Sequence, residues 1–535
     1  MKYFTWIRSV AAVVAAITCL CGSLTLPICA EDTAPDDYEA KRAAYRAELM
    51  ADDVTTDDLL IGSWVSFYSF DIDSYEKQLD QMAAAGINFN AFPRDFGGDR
   101  MYDADYWASV EEEYAKRNMV YLMNGGMSEA LVSVGAEYAE GKEHCIGYHL
   151  VDEPGGSALT AVGEQARRYR AADSFRYPLV NLLPGYAGEV VLGGGYRDYV
   201  SRFIEEAGAE NIEYLSHDFY VFGADSDRPG FFADMEVLRS LAYENGKMKT
   251  HAFIQSTAWT GMRMPNINEM RWNVYAYLAY GFKGLSWFNL VCPGSSDTEG
   301  EGFYDSLIYR DGTIRDPELF AAWSELNWEV RGLSSVLMNL DTTHAYHSGL
   351  IPDGVERLPR DFFLKPAGAV GRRFVISSME SKDGADEYVM LFNKDYTQDE
   401  TTAVFTVEPG SGVKWLEYFD PFIGEYIPVE MKGGRLTDTF RAGEGKLYRV
   451  RRDDPPAETQ TETEAETETE APTDTSEGDV TAAPTVGGTD TAAPTDKRGC
   501  GSFVGTPTGA GMGAAVLIVA AVAVALRAPM RKDKL

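Results

Sequence analysis

Between residues 59 and 295 the chain alternates short apolar runs with amphipathic stretches, and that alternation limits the fold more than any other feature. The runs are Leu59–Phe67, Ile87–Phe92, Met119–Met123, Cys145–Val151, Leu179–Leu183, Ile212–Tyr220, Lys249–Gln255 and Lys283–Leu290. Helical spacing fills the intervals at Ser74–Ala85, Tyr106–Arg117, Leu159–Ala172, Tyr196–Ala207, Asp234–Asn245 and Ile267–Tyr280. Gly86 and Gly281 stand where helix C-caps are expected, just before runs. Eight strand–helix units of this kind predict an α/β fold of the (β/α)8 TIM-barrel type. A doubly wound sheet would need a glycine-rich phosphate turn after its first strand, and Ser66–Phe70 contains none.

Beyond the eighth run, Ser306–Asp316 predicts a hairpin turning on Asp311-Gly312, followed by a closing helix over Pro317–Leu337. From about residue 342 short alternating runs separated by Gly and Asp turns predict an all-β sandwich. The expected divisions are a signal peptide at 1–30, an acidic helical lead at 31–54, the barrel at 55–340 and the sandwich at 341–452. A Thr/Glu/Pro tract at 453–498 has no apolar periodicity and predicts a disordered stalk.

The two ends suggest export and anchoring. Lys2 and Arg8 precede an apolar stretch, Val10–Leu20, and Ile28-Cys29-Ala30 offers a small-residue cleavage site. Residues 509–526 form a Gly/Ala/Val-rich apolar run of about 18 residues, the short end of what a bilayer core needs. The basic tail at 527–535, with Arg527, Arg531, Lys532 and Lys534, predicts an inside end for that run. The expectation is a single-pass C-terminal transmembrane anchor, with the body on the extracellular face of the cell membrane. The layout resembles that of Gram-positive bacterial surface proteins. Of six cysteines only Cys145 and Cys292 fall in the body, with no metal-ligand spacing, so no metal site or cofactor is expected. A net charge of −35 argues against nucleic-acid partners. No protein partner can be named from the sequence.

In a barrel of this type the chemistry stands at the C-terminal ends of the strands. Those ends carry Arg94, Asn124, Asp152, Glu153, Asn181, His217, Asp218, Tyr220, Gln255, Trp259 and Trp287. Carboxylates, amides and aromatic faces on one rim are what a sugar site requires, and a glycan is the expected ligand. Glu153 precedes Pro154, which stops the strand, and its apolar neighbours Leu150 and Val151 favour a raised pKa. The bland alternative is a carboxylate paired with a barrel arginine such as Arg94. Strand alternation sends Asp152 to the opposite face from Glu153. His149 is expected to be a core histidine, and Trp259 and Trp287 divide evenly between sugar platforms and core.

The stretch Gly147-Tyr148-His149-Leu150-Val151-Asp152-Glu153-Pro154 resembles the Asn/Asp-Glu-Pro strand end of clan A glycoside hydrolases, including the β-galactosidase-like family 42 group. Ala279–Phe288, Tyr309–Gly312 and Glu417–Pro421 resemble further stretches of those proteins, in the same order. The resemblance implies that Glu153 is the general acid/base. It also implies a glutamate nucleophile at the end of strand seven, where this chain has Gln255. Asp218, one strand earlier, is the replacement candidate for nucleophile or base. Two functions follow: a glycoside hydrolase, or a non-catalytic carbohydrate-binding protein on the same barrel.

Overall fold

The computed structural model describes residues 35–65, 72–93, 103–292, 302–309, 311–369 and 373–454. The expected signal peptide, all but the first two residues of the expected stalk, the basic tail and Arg94 lie outside these residues.

A leading helix, α1 (Pro35–Ala51), precedes the barrel. The barrel strands are β1 (Leu60–Val65), β2 (Phe89–Phe92), β3 (Val120–Asn124), β4 (Cys145–Asp152), β5 (Tyr177–Leu182), β6 (Tyr214–Asp218), β7 (Lys249–Gln255) and β8 (Gly284–Phe288). All neighbouring pairs are parallel, and β8 returns to β1 through Leu60↔Gly284 to Ser63↔Trp287, so the barrel is closed. Surrounding helices are α2 (Ile72–Ala84), α3 (Ala104–Ala115), α4 (Glu129–Ala139), α5 (Leu159–Ala172), α6 (Tyr196–Ala207), α7 (Phe231–Glu244), α8 (Ile267–Ala279) and α9 (Pro317–Gly332). Local chemistry sets their ends. Asp103 accepts from the Asp105 and Tyr106 amides at the start of α3. Asn266 and Glu269 form a reciprocal capping box on α8. Gly281 has φ +82°, and a Cβ there would lie 2.4 Å from Thr342 Oγ1, so only glycine fits.

Strand alternation divides the apolar residues into two cores. Leu60, Trp64, Phe89, Val120, Leu122, Tyr177, Leu179, Tyr214 and Phe253 fill the barrel lumen. Residues of opposite parity, such as Tyr121, Leu215, Ala252, Ile254, Leu285 and Trp287, pack outward against the helices. Cys145 and Cys292 are buried free thiols.

The C-terminal part has two antiparallel sheets. Its strands are β9 (Leu340–His347), β10 (Leu364–Ala367), β11 (Phe374–Ser381), β12 (Glu387–Asn393), β13 (Glu400–Val407), β14 (Trp415–Asp420), β15 (Glu425–Val429), β16 (Arg435–Arg441) and β17 (Gly445–Arg451). One sheet runs β9-β11-β12-β17-β14-β15 and the other β10-β13-β16. Leu364, Phe374, Ile376, Leu391, Phe405, Leu436 and Phe440 form the core between them. Helix α8 joins this layer to the barrel: Trp272 Nε1 donates to the Lys394 carbonyl at 3.0 Å. Tyr275 donates to Glu329 at 2.6 Å, which Arg441 also grips.

The transmembrane expectation is corrected. A bilayer span needs about 20 apolar residues in one helix, and no helix among the described residues is long and apolar enough. The run at 509–526, short and rich in Gly and Ala, lies outside the described residues. The fold is therefore given without a membrane-spanning helix. The membrane partnership through a single C-terminal helix and the anchored extracellular location are withdrawn with it.

Candidate functional site

Strand parity decides which rim residues look into the barrel mouth. Asn181, Asp218 and Gln255 continue the inward series of β5, β6 and β7, through Leu179, Ser216 and Phe253. Asn124 follows Leu122 on β3 in the same way. His217 and Trp287 have the opposite parity and leave the mouth. His217 Nδ1 lies 3.3 Å from Tyr196 OH on α6, its ring set against Tyr277 and Phe282. Trp287 packs on Trp323 and donates from Nε1 to Asn327 at 3.0 Å, which makes it a core residue.

Glu153 departs from alternation. Its φ is +46°, a left-handed conformation that side chains other than glycine rarely adopt. The turn brings Glu153 onto the same side as Asp152 and within hydrogen-bonding contact of Asp218. Three carboxyl groups from β4 and β6 therefore meet at the mouth, not the two expected. Among the described residues no lysine or arginine pairs with any of them.

The three differ in setting. Asp218 is 4% exposed, Glu153 is half-buried and Asp152 is exposed. Asp152 meets water on its open side but is crowded by protein elsewhere. That crowding, with the Glu153 charge, raises its pKa to about 7 against a donated bond from Asn181 Nδ2 at 3.1 Å. Burial raises Glu153, while the bond from Asp218 opposes the rise. Burial, then the charges of Glu153 and Asp152, lift Asp218 well above the carboxylate range despite its bond with Tyr220. Asp218 thus keeps a proton that Glu153 accepts in a hydrogen bond.

Gln255 is held by loop backbone. Its Nε2 donates to the Arg263 carbonyl at 2.7 Å and the Phe222 carbonyl at 3.3 Å, and its Oε1 accepts from the Phe222 amide at 3.0 Å. An amide supplies both halves of that pattern, which an ionised carboxylate could not. Glu269 caps α8 and pairs with Arg263 at 2.7 Å, away from the carboxyl trio.

The wall above the trio is aromatic. Tyr220 meets Trp259 at 5.1 Å and Phe288 at 5.2 Å between ring centroids, and Trp259 meets Phe303 at 5.9 Å. Trp64 lies deeper, against Phe92, Phe253 and His149. Buried polar atoms near the mouth lack hydrogen-bond partners: Asn124 Oδ1, His149 Nε2 and Asp218 Oδ1. Sequence reading passed over Phe288 and Phe303. Inward parity on β8 was the available signal for Phe288; Phe303 arrives by a short pairing with Trp259 that no local pattern announces. No group of three or more His, Cys, Asp or Glu suited to a metal occurs among the described residues.

The strand pairings make the fold a closed parallel (β/α)8 barrel. No protein-family model and no curated protein matches the chain, so neither a specific family nor a clan is assigned. Among solved structures the chain is similar to one described as a glycoside hydrolase, at 12% identity and TM-score 0.46, covering 73% of this chain and 92% of that one. An Anoxybacillus α-amylase is similar at 11% identity and TM-score 0.44, over 75% of this chain and 99% of that one. A putative α-galactosidase/melibiase from Bacteroides fragilis gives 11%, 0.44, 75% and 80% respectively. Nothing about the site rests on these likenesses, and the barrel is established by its own strand pairings.

Proposed function

We propose that the chain is a glycoside hydrolase with Glu153 as its general acid/base. The observation that carries this is the meeting of Asp152, Glu153 and Asp218 at the C-terminal mouth of the barrel, beneath an aromatic wall. Paired carboxyl groups flanking a glycosidic bond ordinarily stand about 5–5.5 Å apart in retaining enzymes and about 6.5–9.5 Å in inverting ones. Glu153 and Asp218 are in hydrogen-bonding contact, closer than either arrangement, so no sugar fits between them. Asp218 is accordingly assigned as the proton store for Glu153, in place of the nucleophile or base role expected from sequence. Asp152, the exposed member, is the second carboxylate.

The chemistry balances with these roles. Asp218 passes its proton through the shared bond to Glu153, which delivers it to the leaving oxygen as the bond to the anomeric carbon breaks. Asp152 takes a proton from the water that adds to the anomeric carbon. Returning that proton to the pair restores the starting state. Tyr220, Trp259 and Phe288 offer ring faces for the sugar, and Asn124 and His149 offer unpartnered polar atoms for its hydroxyls.

The test is sugar release from a panel of glycans by the full chain, beside Glu153→Gln, Asp152→Asn and Asp218→Asn. Loss of a general acid is expected to lower kcat by about 10²–10⁴-fold in Glu153→Gln. Glycan binding by the wild-type chain without turnover of any panel member would replace the hydrolase with the carbohydrate-binding reading.

A further inference from the structure

A polar line crosses the largely apolar barrel lumen and ends on Asp152. Asn181 Nδ2 donates to Asp152 Oδ1 at 3.1 Å, and Ser216 Oγ donates to Asn181 Oδ1 at 3.1 Å. His251 Nδ1 lies 2.9 Å from Ser216 Oγ, and His251 Nε2 lies 2.9 Å from Ser286 Oγ. Asn181, Ser216, His251 and Ser286 are each no more than 1% exposed. They come from four successive strands, β5 to β8, one inward position apiece.

The direction of every bond follows from the two ends. An ionised Asp152 only accepts, so Asn181 must turn its NH2 toward it and its oxygen toward Ser216. The single Ser216 proton goes to that oxygen, which leaves Ser216 Oγ to accept from His251 Nδ1–H. Burial lowers the His251 pKa to about 3, so the ring is neutral and Nε2 is bare. Nε2 then accepts from Ser286. All four donated bonds point the same way, toward the carboxylate, and each polarises the next.

The backbone makes room for this line. A Cβ on Gly284 would sit 2.7 Å from His251 Cδ2, and one on Gly62 would sit 2.6 Å from Ser286 Oγ. The other titratable groups near the ends are few. The Glu153 charge raises Asp152, and the Asp152 charge in turn raises Asp218, Tyr220 and Tyr199, while the His251 ring packs against Tyr214 and is close enough to act on neutral His217.

We propose that His251, fixed as the Nδ1–H tautomer, is a positioning residue that acts through Ser216 and Asn181 to keep Asp152 an acceptor facing the cleft. Its purpose rests on the assignment of Asp152 as the second carboxylate, but the line itself can be read without substrate. Carbon-13 NMR of labelled aspartate, assigned with Asp152→Asn, follows the Asp152 titration. Nitrogen-15 NMR of the histidine rings, assigned with His251→Gln, gives the tautomer.

At about pH 8.5, above the Asp152 titration, wild-type His251 should carry its proton on Nδ1. Ser216→Ala should move the Asp152 titration upward by about 0.5–1 pH unit, the effect of weakening one donated bond. Ser286→Ala, at the far end, should move it the same way by less. An Nε2–H tautomer in the wild-type chain, or an Asp152 titration unmoved by Ser216→Ala, overturns the proposal. If Ser216→Ala does not fold, Ser286→Ala and the wild-type tautomer decide it. Absence of glycan turnover alone would remove the hydrolase and leave these readings intact.

Discussion

Replacing Gln255 with glutamate tests whether strand seven holds a vacated nucleophile position or a structural amide. In the native arrangement Gln255 Nε2 serves two carbonyls, Arg263 at 2.7 Å and Phe222 at 3.3 Å, at a site with no solvent exposure. Gln255→Glu puts a carboxylate oxygen in front of both. The Phe222 carbonyl keeps the Arg263 amide as a donor at 3.1 Å, but the Arg263 carbonyl is left without one, at a cost of about 1–3 kcal/mol. At about 2 °C per kcal/mol for a large domain, Tm should fall by about 2–6 °C.

The pH dependence has a definite sign. The introduced carboxyl faces oxygen acceptors in the interior, so its folded pKa rises above its unfolded value near 4.3. The penalty from its charge is then fully present above the folded pKa and disappears below the unfolded one. Thermal unfolding followed by circular dichroism at about pH 8 and about pH 5 should show the larger drop at the higher pH. An unchanged Tm together with newly gained glycan turnover would refute the reasoning, because it would mean that the position faces substrate.

Other outcomes follow from the same geometry. Asp218→Asn should raise Tm more at alkaline than at acid pH while lowering glycan release, because a raised acid pKa destabilises the fold as pH climbs through it. The rising acidic limb of the pH–rate profile should fall near pH 7, where Asp152 loses its proton, and Asp152→Asn should abolish that limb. Trp259→Ala should raise KM for glycan, whereas Trp287→Phe should lower Tm through its lost bond to Asn327 and leave KM unchanged. Gly284→Ala should destabilise by about 1–3 kcal/mol in a urea melt, because its Cβ would press on the His251 ring.

What the sequence could convey depended on periodicity. The eight apolar runs sit on the barrel strands because lumen and helix-facing residues both had to be apolar, leaving strand-length blocks that are easy to see. Parity along β6 and β8 also carried information: it separates Asp218 from His217 and sends Trp287 outward. Alternation failed at Glu153, where a single left-handed residue undoes the rule and places adjacent carboxyls together. Nothing in the neighbouring residues marks that φ. Gln255 was visible as a residue type, but its partners at Phe222 and Arg263 belong to loops whose paths no periodic pattern encodes. Ser216, His251 and Ser286 each look like an incidental polar residue within a strand, and only the register across four strands brings them into line.

The position of β17 has a consequence for how the molecule is made. It pairs with β12 on one side and β14 on the other, so the last strand of the body is an inner strand of its sheet. Until residues 445–451 leave the ribosome, β9-β11-β12 and β14-β15 are separate fragments with bare edges where the last strand belongs. Such edges invite pairing with other chains. Helix α8 packs directly on β12 and β17, so the barrel's outer layer is also incomplete during that interval. A ribosome paused shortly before residue 445 would hold an almost finished barrel beside a sheet with its centre missing, the stage of synthesis at which this protein most needs a chaperone.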